Sequence, residues 1–334
     1  MKRSMRKEIL VAGGAGFLGS HLCERLIDEG ASVVCLDSFV TGRRENLHRL
    51  ERSPRFELVE ADIVKPMPAA LRRRRFDQIF NLACAASPPH YQADPEHTLL
   101  TSVVGTHALL RLAENCGARL LLSSTSEVYG DPHAHPQVET YWGNVNCTGP
   151  RACYDEGKRA AETLCFDFDR LRRVEVRVAR IFNTYGPRLA AADGRVVSNV
   201  VSQALAGEDI TVYGDGSQTR SFCYVSDLVD GLVRLMAHAG PQPGPVNLGN
   251  PVELSVSELV SLVLAITGSN SEIVYERLPT DDPRRRRPDI SRAAKVLGWR
   301  PETPLDQGLK STIRWFEQAG SSEARTSQVA INAA

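Results

Sequence analysis

Along the first half of the chain, short apolar runs alternate with longer stretches whose apolar residues recur every three or four positions. Residues 8–12 read as a strand and 17–29 as an amphipathic helix stopped by Gly30. Residues 31–36 are near-continuously apolar, as suits a parallel strand buried on both faces. Strands are expected at 56–60 and 77–83, a helix over 95–116 stopped by Gly117, and a strand at 118–124. A long helix over 151–173 and a strand at 174–181 complete the series. This alternation predicts an α/β fold, a doubly wound parallel sheet of the Rossmann type with helices on both faces.

The second half is less regular. Helices are expected at 196–206, 226–239 and 289–297, with a Pro/Gly connector at 240–245. Ser255 and Glu258 form a capping box that opens a helix to Thr267, closed by Gly268. The pattern divides the chain into a first domain over 7–185, a smaller and partly interleaved α/β domain over 186–318, and a disordered tail over 319–334.

The chain has 334 residues, 42% hydrophobic and 24% charged, which is ordinary globular composition. Forty basic residues balance forty acidic ones, which argues against a nucleic-acid partner, because phosphate neutralisation wants a basic excess. No apolar run approaches the ~18 residues of a membrane helix. The basic start at 1–7 imitates a leader, but the apolar run behind it is too short, so neither a leader nor a membrane partner is expected. The eight cysteines show no CxxC pair and no metal-type spacing. No metal is expected; buried free thiols in a cytoplasmic protein are.

Gly13, Gly14, Gly16 and Gly19 join the first strand to the first helix and satisfy G-x-G-x-x-G. Such glycines let the backbone approach a pyrophosphate, which rests on the helix N-terminus. Asp37 closes the second strand, where an acidic group bonds a ribose 2′-hydroxyl and repels a 2′-phosphate, so NAD is favoured over NADP. Tyr154 and Lys158 lie four apart on one helix face. A phenol near a cation loses its proton more readily and can take one from a hydroxyl whose carbon gives up hydride. Thr125, Ser126 and Glu127 end a parallel strand, where doubly wound folds bind ligands.

These motifs resemble an extended short-chain dehydrogenase/reductase. TSEVYGDP (125–132), GPRACYDEGKR (149–159), ARIFNTYGPR (179–188), YGDGSQTRSFCYVSDL (213–228) and DDPRRRRPDI (281–290) narrow the resemblance to the UDP-glucuronate decarboxylases (UDP-xylose synthases), over about residues 7–318. Dehydratases of the family carry Asp-Glu after the Thr, and 4-epimerases usually lack the Glu; this chain has Ser126-Glu127. The other readings are a UDP-sugar 4-epimerase or 4,6-dehydratase, and an idle NAD-binding regulatory module.

The resemblance implies catalytic roles for Tyr154, Lys158, Thr125, Ser126, Glu127 and Arg286, and a homodimer. It implies NAD contacts from Gly13, Gly16, Phe17, Leu18, Gly19, Asp37, Ser38, Phe39, Thr41 and Gly42. Asp62, Ile63, Leu82, Ala83, Cys84 and Thr184, with Tyr154 and Lys158, complete that set. UDP-glucuronate would meet Tyr91, Asn183, Arg195, Tyr213, Arg220 and Arg286. Tyr213 reads equally as an aromatic stacked on uracil or a core strand residue. Three of Arg284–Arg287 read as a solvated turn, and 72–75 as a solvated basic loop. Ser102 replaces the usual Asn and is expected to loosen a buried helix hydrogen bond. Leu100 replaces a frequent Lys and is expected to weaken substrate-phosphate contacts.

Overall fold

The structure, a computed structural model, describes residues 6–279, 281 and 285–332, those from 320 onward by backbone alone. Residues 1–5 of the basic start and Asp282, Pro283 and Arg284 of the arginine-rich stretch lie outside the described residues. The chain order opens β1 (Glu8–Ala12), α1 (Phe17–Asp28), β2 (Ser32–Asp37), β3 (Phe56–Glu60), α2 (Ala69–Arg73), β4 (Gln78–Asn81), α3 (Pro88–Ala93) and α4 (Pro95–Leu100). There follow α5 (Thr106–Cys116), β5 (Arg119–Thr125), α6 (Ala152–Arg170), β6 (Val176–Ile181), β7 (Thr184–Tyr185) and α7 (Val196–Ala206). The rest is β8 (Ile210–Tyr213), β9 (Thr219–Ser221), β10 (Cys223–Tyr224), α8 (Val225–Ala237), β11 (Pro245–Leu248), β12 (Glu253–Ser255) and α9 (Val256–Thr267). The chain closes with β13 (Ile273–Glu276), β14 (Arg285–Arg286), α10 (Ser291–Leu297) and α11 (Leu305–Asn332).

Seven parallel strands form one sheet in the order β11-β6-β5-β4-β1-β2-β3. The order reverses between β1 and β4, and a crevice opens at that point above the carboxyl ends of the strands. The continuous apolar strands follow from this architecture. Ile9, Val11, Val33 and Cys35 face a core shared with α1 and α8, while Leu10, Ala12, Val34 and Leu36 face α5 and α6. A third core joins α7, α9, α11 and β8 in the smaller lobe. The lobes interleave: β11 completes the large sheet, and Trp299 packs with α8 in its core.

Four expectations change. The helix over 95–116 is broken by a π-helical turn at Thr101–Gly105, where Cβ of a residue at 105 would strike Ile63 and Ser102 packs against Gly157. The basic run at 72–75 is not a purely solvated loop: α2 ends in it, and Arg74 pairs with Glu8 and, at 2.5 Å, with Glu57. Instead of a disordered tail over 319–334, α11 continues to Asn332, through a stretch that contains no Pro to stop it; Ala333 and Ala334 lie outside the described residues. The thiols are all free, but only Cys23, Cys35, Cys165 and Cys223 are buried; Cys84, Cys116 and Cys153 are half-buried, and Cys147 is exposed, because it lies on the irregular 131–150 loop and not in an apolar element.

Candidate active site

The first cavity follows the switch point. A Cβ at position 13 would sit 2.6 Å from the carbonyl carbon of Leu82, with φ at +78°, and one at position 19 would sit 2.0 Å from the Gly13 carbonyl oxygen. Only glycine fits either position, so the loop lies flat on the end of β4 and α1 starts against it. Gly16 caps α1 without a side-chain hydrogen bond, and no acidic residue occupies the first turn. The amides there remain available to an anion, which is the chemistry a pyrophosphate needs. Asp37 is buried; its Oδ2 accepts from the Ala15 amide and its Oδ1 from the Phe39 amide, both at 2.8 Å. It therefore ties the glycine loop to the end of β2 while lining the cavity. Burial raises its pKa and those amides oppose the rise. Asp62 also lines the cavity and is held by His97, whose Nε2 lies 2.9 Å from Oδ2.

All the residues expected to meet NAD line this cavity except Phe39. Its backbone turns to φ 57° to reach Asp37, and its ring packs into the core beneath Arg44. The residue set fits the dinucleotide: a glycine cradle, a free helix N-terminus and an acid at the end of β2.

Tyr154 and Lys158 project from α6 into the same cavity, across from Thr125, Ser126 and Glu127 at the end of β5. Burial pushes the Tyr154 phenol well above the ordinary tyrosine value, and a hydrogen bond with Thr125 opposes it. Lys158 does not reach the hydroxyl. It donates to the Ser123 carbonyl at 2.9 Å, and its Nζ lies 5.8 Å from the Tyr154 ring centroid. The ammonium was expected to favour the phenolate together with an oxidised nicotinamide; in the protein by itself, dehydration of the phenol is the larger influence. Tyr91 stacks on Tyr154 with ring centroids 5.0 Å apart, which fixes the ring.

Behind β5 a polar network holds the strand in place. Ser124 donates to Glu162 at 2.5 Å, and Arg180 forks onto Glu162 at 2.9 and 2.7 Å. Arg180 also donates to the Tyr129 hydroxyl, which donates to Asn247 on β11.

A second cavity adjoins the first, sharing Ala86, Glu127, Asn183, Thr184 and Arg195 with it. It gathers all six residues expected to meet the substrate: Tyr91, Asn183, Arg195, Tyr213, Arg220 and Arg286. Tyr213 is 38% exposed at the end of β8, which excludes the core reading. Arg286 is 2% exposed, whereas Arg285 beside it is exposed. Parallel pairing of β14 with β9 carries Arg286 inward beside Arg220, where it donates to the Ser126 carbonyl and, at 3.1 Å, to Glu127 Oε2. Arg195 forks onto Asp193, one bond at 3.0 Å, so part of its charge is already met. Leu100 lines neither cavity. Ser102 is buried in the π-helical turn with its hydroxyl 3.4 Å from Cys84 Sγ. Arg151, 3.7 Å from Glu127, and Arg188, paired with Glu24 at 2.7 Å, line the cavities without having been assigned from sequence. Both fall inside the family-like segments (149–159 and 179–188), which was the available signal.

The sequence matches the NAD dependent epimerase/dehydratase family over residues 9–249. It is 54% identical over 318 residues to UDP-glucuronic acid decarboxylase 4 of Arabidopsis thaliana, covering 95% of this chain and 70% of that protein. It is 53% identical over 313 residues to UDP-glucuronic acid decarboxylase 1 of Xenopus tropicalis, covering 94% and 73%. Among solved structures it is similar to UDP-glucuronic acid 4-epimerase of Bacillus cereus, held in complex with UDP-glucuronic acid and NAD, with a TM-score of 0.84, 26% identity and coverage of 93% and 99%. More than half of the aligned residues are shared with the two decarboxylases along nearly the whole chain, and the chain belongs to the NAD dependent epimerase/dehydratase family, among its UDP-glucuronic acid decarboxylases.

Proposed function

We propose that the protein decarboxylates UDP-glucuronate to UDP-xylose through a 4-keto sugar. The observation that carries this reading is the junction of the two cavities. There Glu127, gripped by Arg286, stands beside the Thr125–Tyr154 pair. NAD, which the glycine loop, the N-terminus of α1 and Asp37 would hold, would supply the hydride acceptor for oxidation at the sugar C4 and the donor for its reversal within the same turnover.

Tyr154 takes the proton of the 4-hydroxyl. Its burial keeps the phenol protonated until positive charge arrives next to it, and Thr125 supplies a hydrogen bond that favours the phenolate. Oxidation at C4 makes the C5 carboxylate a β-keto acid. The C5–carboxylate bond then breaks, and its electrons move onto the C4 oxygen as an enolate, which Thr125 and Tyr154 stabilise by hydrogen bonds. CO2 leaves and C5 takes up a proton in the region of Ser126 and Glu127. Lys158 pins α6 to the end of β5 and faces the nicotinamide ribose. Arg286 meets the carboxylate end of the sugar, where a guanidinium offers paired donors. Arg195, Arg220 and Tyr213 serve the diphosphate and uracil, with Asn183 between the two ligands.

The test is incubation with UDP-glucuronate without added NAD, followed by mass spectrometry. UDP-pentose and CO2 are expected. An unchanged mass would mean epimerisation, loss of water would mean dehydration, and no UDP-pentose even after NAD is added would overturn the reading. We also read the protein as cytoplasmic, on its free thiols, and as a homodimer. Leu99 and Val104, exposed on the helical run beside α6, support the latter. Light scattering at twice the chain mass is expected.

A further inference from the structure

Asp155 follows Tyr154 on α6, yet it lines neither cavity. It is 6% exposed, and its Oδ1 is buried without a hydrogen-bond partner. The charged groups that face it are Glu127 from the turn after β5, Arg286 from β14, and Arg151 and Glu156 from its own helix. Tyr91 of α3 and the neighbouring Cys153 and Tyr154 face it as well. Glu127, Arg286, Arg151 and Tyr91 are all wall residues of the second cavity. Asp155 therefore stands one layer behind the wall against which, on the function proposed above, the sugar carboxylate docks. The inference rests on that reading.

A carboxylate in that layer would put a second negative charge beside Glu127, out of water, with one oxygen lacking a donor. We propose that Asp155 is a specificity-determining residue acting through Glu127: it stays a neutral carboxylic acid, so that the two carboxyls carry one negative charge and the cavity admits an anionic sugar. When Asp155 ionises, the cavity rejects that sugar. Burial, and then the Glu127 carboxylate, push Asp155 up to about 8, against the pull of Arg151 and Arg286. Its ionisation thus falls just above neutrality.

The sign follows by linkage. A bound sugar carboxylate raises the Asp155 pKa further, so affinity for that sugar is full below about pH 8 and declines above it. A sugar nucleotide without the carboxylate feels no such change. The experiment measures dissociation constants of UDP-glucuronate and UDP-glucose for the NAD-loaded protein by calorimetry at pH 7 and pH 9. In the unaltered protein the ratio of the two constants should rise about tenfold in disfavour of UDP-glucuronate. Asp155→Asn should hold the ratio flat, and so should Asp155→Ser, which serves where the amide variant fails to fold; Asp155→Glu should restore the rise. A constant ratio in the unaltered protein, or a rise that persists in the non-ionisable variants, overturns the proposal. Failure of the decarboxylase reading looks different: no UDP-pentose forms, while the binding ratio remains measurable.

Discussion

The two cavities are built by opposite means. The first is built around backbone and short side chains at the ends of successive strands, and the long side chains of Tyr154 and Lys158 enter it from a single helix. The second is walled largely by long side chains from α3, the loop before α7, β8, β9 and β14, which lie far apart in the chain. A site of the first kind is fixed by local geometry, and its residues tolerate little change in shape. In a site of the second kind the chemistry depends on distant pairings such as β14 with β9. Damage to one should leave the other measurable.

The junction is the exception, and the largest effect is expected there. Tyr154→Phe removes the hydroxyl proposed as the proton acceptor but keeps the ring that stacks on Tyr91. CO2 release from UDP-glucuronate should fall about 10³-fold, as for loss of a general base, while both NAD and UDP-glucuronate still bind. Undiminished release would remove Tyr154 from the chemistry. The next effect isolates the second cavity. Arg286→Ala leaves Glu127 and the Ser126 carbonyl without their buried donor. The ratio kcat/KM for UDP-glucuronate should drop about 100-fold, in line with loss of a charged hydrogen bond. NAD affinity should not move; if it falls in step, the two cavities are not separable in the way their construction suggests.

That contrast also explains what the sequence made legible. Six strands of the parallel sheet, the glycine loop and the Tyr-Lys face are encoded in neighbouring residues, so periodicity and spacing found them; the seventh strand, β11, was missed, because its four residues begin at the end of the Pro/Gly connector and become a strand only by pairing with β6. The capping box at Ser255 and the helix at Val196–Ala206 fell in place for the same reason. Asp155 looked like a polar residue on a helix, because its burial depends on Glu127 and Arg286, which are 28 residues before and 131 residues after it. Tyr213 could be core or surface until β8 was paired with β13 at the rim. The π-helical turn at Thr101–Gly105 keeps helical periodicity almost intact, so the pattern read straight through it.

A smaller effect tests the first cavity from its own side. Asp37→Ala removes the acceptor of the Ala15 and Phe39 amides and the carboxylate that would repel a 2′-phosphate. NAD should bind about tenfold more weakly, a loss of about 1.4 kcal/mol, and the preference for NAD over NADP should narrow. UDP-glucuronate binding measured in saturating NAD should be unchanged.

The smallest effect asks whether the smaller lobe contributes only placement. Ser255 caps α9: its hydroxyl accepts from the Glu258 amide at 3.1 Å, and the Glu258 carboxylate accepts from the Ser255 amide at 2.7 Å. Ser255 also ends β12, which pairs with β9, and β9 in turn carries Arg220 and aligns Arg286. Ser255→Ala deletes one of the two reciprocal bonds and should cost about 1 kcal/mol, seen as a melting temperature lower by about 2 °C. The first cavity lies on other elements, so NAD affinity should stay the same. Any kinetic change should appear as a modest rise in KM for UDP-glucuronate with kcat held, because the strand that aligns the arginines has loosened while Tyr154 and Thr125 have not moved. A fall in kcat at constant KM would instead mean that the lobe reaches the reacting carbon directly, and the division between a cavity that performs chemistry and a cavity that holds the substrate would fail.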